Sequence, residues 1–200
     1  MFAVFLDRDG VINVDTDYLC DIDDLVFESR VIEALIRISK ELPSETCKSI
    51  VVTNQSGVAR GLFSLEQCER FAQQFLEAVA SASRGEARID DYLFCPHHPT
   101  EGVAPYRVEC ECRKPKPGLL MRAQSAHQFD LSASFMIGDQ DRDIRAGQAA
   151  GCYTVLIRPG VTNVDKTATH TTADAISADL FDATTLIIQE VNKRNLNPDS

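Results

Sequence analysis

A doubly wound α/β fold, a parallel sheet with helices on both faces, is what this sequence predicts. Three observations carry the expectation. Short runs of consecutive apolar residues alternate with segments of helical periodicity along the chain. The runs are apolar at successive positions, as strands covered from both sides must be. Polar turns rich in carboxylates and glycine come after three of the runs, at the strand ends where such sheets bind ligands.

Each element has its own justification. Phe2, Ala3, Val4, Phe5 and Leu6 form an unbroken apolar run that stops at Asp7, and read as a buried strand. Ser29 offers an N-cap to a helix in which Val31, Leu35, Ile36 and Ile38 recur at helical spacing as far as Pro43. Residues 49–53 form a second buried strand and end in Asn54-Gln55-Ser56-Gly57. Ser64 and Gln67 have the spacing of a capping box, ahead of a helix with Phe71, Phe75, Leu76 and Val79 on one face. Residues 91–95 are a third strand, and 96–117 an irregular, proline-rich segment. Residues 118–129 read as a helix, 134–138 as a fourth strand, and 141–150 as a helix stopped by Gly151. A fifth strand at 152–157 precedes a polar loop at 161–173, a short sixth strand at 174–177 and a last helix at 180–192. The expected organisation is one domain over 1–194, carrying a loop at 95–114, and a tail at 195–200.

Composition excludes several classes of function. The 200 residues carry 20 basic and 30 acidic side chains, a net charge of −10. A nucleic-acid binder would normally have a basic excess. No apolar run approaches the ~20 residues of a membrane helix. The N-terminus lacks the basic start, long apolar region and cleavage site of a secretory signal. The expectation is a cytoplasmic protein with no nucleic-acid or membrane partner, and the small size favours a monomer. Seven cysteines are an odd count, and a disulfide framework is not expected in such a chain.

The chemistry lies at the ends of the strands. Asp7-Arg8-Asp9-Gly10 succeeds the first, Thr53-Asn54-Gln55-Ser56-Gly57 closes the second, and Gly138-Asp139 closes the fourth, with Asp141 and Asp143 just beyond. Asp7 and Asp139 would form a hard, oxygen-rich site suited to Mg²⁺. Asp7 has the chemistry of a nucleophile that forms an aspartyl-phosphate. Asp9, two residues on, can protonate the leaving alkoxide and then activate water. Thr53 offers a hydroxyl and backbone N–H groups to phosphate oxygens, and Lys114 a point charge for the transferring group. Each motif alone is weak: Asp-x-Asp pairs are commonly solvated turns. All three in order, each directly after an apolar strand, form a specific constellation.

Asp7-Arg8-Asp9-Gly10-Val11-Ile12-Asn13, Val52-Thr53-Asn54-Gln55-Ser56-Gly57-Val58-Ala59-Arg60-Gly61, Cys110-Glu111-Cys112-Arg113-Lys114-Pro115-Lys116-Pro117-Gly118 and Gly138-Asp139 resemble the haloacid dehalogenase superfamily. Within it they look most like the D-glycero-D-manno-heptose 1,7-bisphosphate 7-phosphatases, with the histidinol-phosphate phosphatases as near relatives. The resemblance spans roughly residues 2–157. It implies a Rossmann-like sheet with little or no cap domain. It also implies Asp7 as nucleophile, Asp9 as acid/base, Thr53 and Lys114 as phosphate binders, and Asp7, the Asp9 carbonyl and Asp139 as Mg²⁺ ligands. Two departures stand out. Gln140 occupies a position where the heptose phosphatases often have lysine, and Asp15-Thr16-Asp17-Tyr18 replaces a His-Gly-Tyr version of a loop expected to touch the sugar.

Cys95 and His97, then Cys110 and Cys112, form two pairs separated by twelve residues. In extended chain, residues i and i+2 face the same side. Three thiolates and one imidazole would close a tetrahedral Zn²⁺ site with no open position, hence a structural one. His98 would face the other way. A disulfide from Cys95 to Cys110 or Cys112 is the smaller alternative. The ion would hold Arg113 and Lys114 toward the strand ends. A bisphosphate carries a second anion, for which Arg113 is the first candidate and Arg60 the second. Asn54 and Gln55 are candidates for sugar hydroxyls. The overall expectation, which the resemblance implies, is a Mg²⁺-dependent phosphatase that removes the 7-phosphate of the small phosphorylated sugar D-glycero-D-manno-heptose 1,7-bisphosphate through an aspartyl-phosphate, in nucleotide-activated heptose biosynthesis. Histidinol-phosphate phosphatase is the rival enzyme, and a catalytically weak protein binding a partner through its zinc loop is the rival of another class.

Overall fold

The computed structural model describes residues 1–160 and 171–196. Six strands build one sheet: β1 (Phe2–Leu6), β2 (Cys47–Asn54), β3 (Asp91–Cys95), β4 (Phe135–Gly138), β5 (Tyr153–Ile157) and β6 (Ala175–Ser177). All neighbours pair in parallel, in the order β3-β2-β1-β4-β5-β6. The chain therefore winds outward in one direction from β1 and in the other from β4. The crevice between the carboxyl ends of β1 and β4 is the topological switch point of such a sheet.

Side-chain alternation along β1 explains the two cores. Val4 and Leu6 point to one face, into a cluster with Val31, Leu35 and Ile38 of α1 (Val31–Glu41), Phe71, Phe75 and Val79 of α3 (Leu65–Ala82), and Ala183 and Ile187 of α6 (Leu180–Leu196). Ala3 and Phe5 point to the other, against Leu119, Leu120 and Ala123 of α4 (Gly118–His127). Phe5 is fully buried, so its truncation to alanine costs about 3–5 kcal/mol. The short α2 (Gly57–Arg60) comes after β2, and α5 (Asp141–Ala150) packs on β4 and β5. No helix among the described residues is long and apolar enough to cross a membrane.

Several expected boundaries move. α1 is not capped by Ser29: the N-cap is Arg30, in the left-handed region at φ 61° with no side-chain cap. Its guanidinium instead ion-pairs with Asp179 and Asp182 and lies over the Phe181 ring at 4.1 Å. The Ser64–Gln67 capping box forms as its spacing predicts. β2 starts earlier than expected because Cys47 pairs with Phe2 across the ladder. α4 ends at His127, with Gln128 in the left-handed region. α6 runs on through Leu196, past its expected end at residue 192. Most of the expected 161–173 loop, and 197–200 of the tail, lie outside the described residues.

Candidate active site

Each side chain is delivered by the end of a strand. Asp7 succeeds β1, and its N–H continues the ladder by donating to Ile137 O at 2.9 Å. Asp139 succeeds β4, and Asp143 lies one helical turn beyond it in α5. Gly10 turns the chain after β1 at φ +76°, where a Cβ would come within 2.5 Å of Asp139 Oδ2. A Cβ on Gly138 would lie 2.2 Å from the Asp143 Cβ. Both glycines let the acidic loops approach each other, and oxygens from Asp7, Asp139 and Asp143 lie within 4.8 Å of one another.

Lys114 enters this cluster from the loop before α4. Its ammonium is buried, 2.8 Å from Asp7 Oδ1 and 2.7 Å from Asp143 Oδ1, and it donates to Val52 O at 2.8 Å. Burial works to lower its pKa, but Asp143 and Asp7 overcome that and hold it above the ordinary lysine value. Burial, then repulsion from Asp143, pushes the Asp7 carboxyl up to about 7 against the pull of Lys114. Burial and Asp7 likewise raise Asp139.

Asp9 is held differently. Arg8 donates Nε to Oδ1 at 2.9 Å and Nη2 to Oδ2 at 2.8 Å. Asn13 Nδ2 adds a bond to Oδ1 at 3.0 Å, and Gln55 Nε2 one to Oδ2 at 3.1 Å. Arg8 itself is 1% exposed, reaches Tyr92 Oη and Leu19 O, and stacks on Phe71. Gln55 Nε2 also reaches Thr53 Oγ1 at 2.9 Å, tying the Asp9 and Thr53 side chains together.

Asn54 takes a positioning place where a sugar contact was expected. Its Oδ1 accepts from Lys114 N at 3.0 Å and its Nδ2 donates to Lys114 O at 3.1 Å, so it seats the lysine backbone. Arg113, half-buried, donates to His97 O at 3.1 Å. Burial lowers its pKa, and the nearby Arg142 and Arg60 act in the same direction. Arg60 is tied to Glu101, comes within 3.5 Å of His98 Nε2, and lies over the Tyr18 ring at 5.6 Å. The 15–18 loop therefore reaches Arg60.

Arg8, Asn13 and Asp143 were not among the site residues expected from the sequence. A charged residue between two aspartates reads as surface, and only the depth of Tyr92 and Phe71 reveals the pocket that receives it. Asp143 had a visible signal: it is the third residue of the helix that starts just after the Gly138-Asp139 strand end.

The carboxylate cluster passes a test for a divalent cation. Asp139 Oδ1 is buried with no hydrogen-bond partner, which is costly unless something else binds it. The three carboxylates face a single lysine, and hard oxygen donors suit Mg²⁺. Asp143 joins the expected Asp7 and Asp139 in this cluster, while the Asp9 carboxylate sits on Arg8. Cys95, His97, Cys110 and Cys112 also converge, with Sγ–Sγ separations of 3.2–3.6 Å and His97 Nδ1 at 3.4 Å from Cys112 and 3.7 Å from Cys95. A tetrahedral zinc with bonds of about 2.0–2.3 Å has ligand edges of roughly 3.5–3.8 Å, a few tenths of an ångström longer than the shortest of these separations, so a small spreading of the four donors would admit that ion. Hydrogen bonds from Cys95 and Cys110 draw Cys112 down to about 5, a thiolate ready for a metal, while Cys95 and Cys110 are raised. No disulfide joins them. His98 turns away, accepting from Glu101 N at 2.9 Å.

The arrangement can hold an anionic phosphate against a buried carboxylate, a lysine and a cation. Known proteins resemble the chain as a whole. The HAD-hydrolase-like family matches residues 111–183. The D-glycero-beta-D-manno-heptose-1,7-bisphosphate 7-phosphatase of Photorhabdus laumondii is 45% identical over 79% of this chain and 81% of its own length. The protein of the same name from Escherichia coli K12 is 42% identical over 79% and 80%. The crystal structure of D,D-heptose 1,7-bisphosphate phosphatase from B. bronchiseptica, complexed with magnesium and phosphate, superposes with a TM-score of 0.75 at 29% identity, covering 95% of this chain and 99% of that one. At 45% and 42% identity to two of these enzymes over about four fifths of each chain, and with the fold of the third, the chain belongs to the heptose-1,7-bisphosphate 7-phosphatase family of haloacid dehalogenase-like hydrolases.

Proposed function

We propose that one phosphatase domain over residues 1–194 removes the 7-phosphate of D-glycero-β-D-manno-heptose 1,7-bisphosphate in the cytoplasm. One observation carries the reading: Lys114 bridges Asp7 and Asp143 beneath the strand ends, in a chain 45% identical to a phosphatase named for that substrate. The β configuration comes from the names of the relatives.

The chemistry falls to residues already placed. An Asp7 oxygen attacks phosphorus and forms the O–P bond of an aspartyl-phosphate, while the bond from phosphorus to the sugar oxygen breaks. Asp9 gives its proton to the departing alkoxide, and then takes one from the water that attacks the phosphorus of the intermediate, as the Asp7 O–P bond breaks and releases the free carboxylate and inorganic phosphate. Either transfer requires a hydrogen bond to Arg8, Asn13 or Gln55 to be given up, so these donors set how Asp9 is presented. Lys114 keeps Asp7 in place and offsets charge on the transferring group. Thr53 contributes its hydroxyl and backbone to phosphate oxygens. Mg²⁺ held by Asp7, Asp139 and the Asp9 carbonyl would relieve repulsion between the nucleophile and the phosphate dianion. Arg113, and after it Arg60, would meet the second phosphate. Zn²⁺ held by Cys95, His97, Cys110 and Cys112 would fix the loop that carries Arg113 and Lys114.

The test is phosphate release with Mg²⁺ from both anomers of the heptose bisphosphate, histidinol phosphate and simple sugar phosphates. A marked preference for the β-anomer is expected. Faster release from histidinol phosphate would overturn the assignment.

A further inference from the structure

Residue 140 touches two of the three clustered carboxylates at once. Its main-chain N–H donates to Asp143 Oδ2 at 3.0 Å, and its side-chain Nε2 donates to Asp139 Oδ2 at 2.9 Å. Arg158, just past β5, donates to the Asp139 carbonyl at 2.6 Å. Asp139 is thus gripped at its carbonyl and at one carboxylate oxygen. The other oxygen, Oδ1, is left buried and without a partner. A carboxylate in solution rotates freely about its terminal torsion and loses that freedom on binding a cation. Here the Gln140 amide already restrains that rotation, while Arg158 fixes the main chain that carries it.

We infer that Gln140 is a positioning residue for the divalent cation: its amide occupies Asp139 Oδ2 so that Oδ1 is the oxygen presented to the ion. The inference rests on Asp139 being a metal ligand. An amide can do this because it donates a hydrogen bond without neutralising the charge of the carboxylate. The same residue, through its N–H, fixes the Asp143 oxygen opposite the one that meets Lys114. Gln140 therefore keeps Asp143 turned toward the lysine and Asp139 toward the cation.

The side chain of Gln140 is exposed, so replacing it should leave folding intact. Gln140→Met keeps the length and the N–H but removes the donor. Titration calorimetry with Mg²⁺ alone, on zinc-loaded protein without substrate, should show the dissociation constant raised roughly tenfold. In Mg²⁺-free buffer the Tm should match that of the parent chain, while the Tm rise produced by Mg²⁺ shrinks. Arg158→Met should weaken binding in the same direction through the carbonyl. An unchanged dissociation constant in Gln140→Met would overturn the inference, as would a Tm loss in Mg²⁺-free buffer, which would mark a structural role. A parent chain that binds no Mg²⁺ would instead refute Asp139 as a ligand, a separate failure.

Discussion

The guanidinium of Arg8 grips both carboxylate oxygens of Asp9, Nε to Oδ1 at 2.9 Å and Nη2 to Oδ2 at 2.8 Å, from a position that is itself 1% exposed. Arg8 also lies over the Phe71 ring at 4.9 Å and donates to Tyr92 Oη at 3.2 Å. A buried arginine is tolerated only when its donors are met, and here Asp9, Tyr92 and Leu19 meet them.

Removing the cation should therefore damage both folding and chemistry. Arg8→Leu leaves Asp9 partly buried without its counter-charge, and should lose roughly 3–5 kcal/mol of stability in urea unfolding. Turnover should fall with it, because Asp9 loses its bidentate partner. Arg8→Leu with the stability of the parent chain would show that the pair contributes nothing to the fold.

Lys114 stands between two carboxylates that are both buried. Lys114→Met would leave Asp7 and Asp143 facing each other, a like-charge pair in a dry site. The variant should be strongly destabilised and inactive. Adding Asp143→Asn should recover part of the stability but not the turnover, since one charge is gone while the phosphate still lacks its lysine. Additive losses in the double variant would contradict the coupling.

The cysteine–histidine loop makes a separate prediction. Freshly purified protein should contain about one zinc ion per chain. Chelation should expose residues 95–112 to proteolysis, lower activity, and leave Cys112 the first thiol to be alkylated, since its neighbours hold it near 5. Burial pushes Cys47, Cys68 and Cys152 up to about 12. At pH 8 only about one part in ten thousand of each is thiolate, so they should label only on unfolding. Metal analysis without zinc, or labelling of Cys47 before Cys112, would refute this account.

Legibility in the sequence depends on which forces act locally. β1 is readable because both its faces are covered, so Phe2 through Leu6 are all apolar. The Ser64 box is readable because its partners lie three residues apart. Asp7 and Asp139 are readable because strand ends in this architecture converge. Arg30 was not, because its favourable partners at the start of α1 are Asp179, Asp182 and Phe181, distant in sequence. Asn54 looked available to a ligand, yet its amide is matched to the Lys114 backbone sixty residues away. Gln140 stands where the heptose phosphatases often have lysine, and only the structure shows that it bonds two carboxylates. Long-range polar pairings leave no periodic trace.

Asp7 as the carrier of the phosphoryl group is the step on which the proposed mechanism depends. Rapid acid quench during turnover of the heptose bisphosphate, then digestion and mass spectrometry, tests it directly. The mechanism predicts a phosphoryl adduct on the peptide containing Asp7, and a folded Asp7→Asn variant with neither adduct nor turnover. An Asp7→Asn protein that still releases phosphate would contradict it.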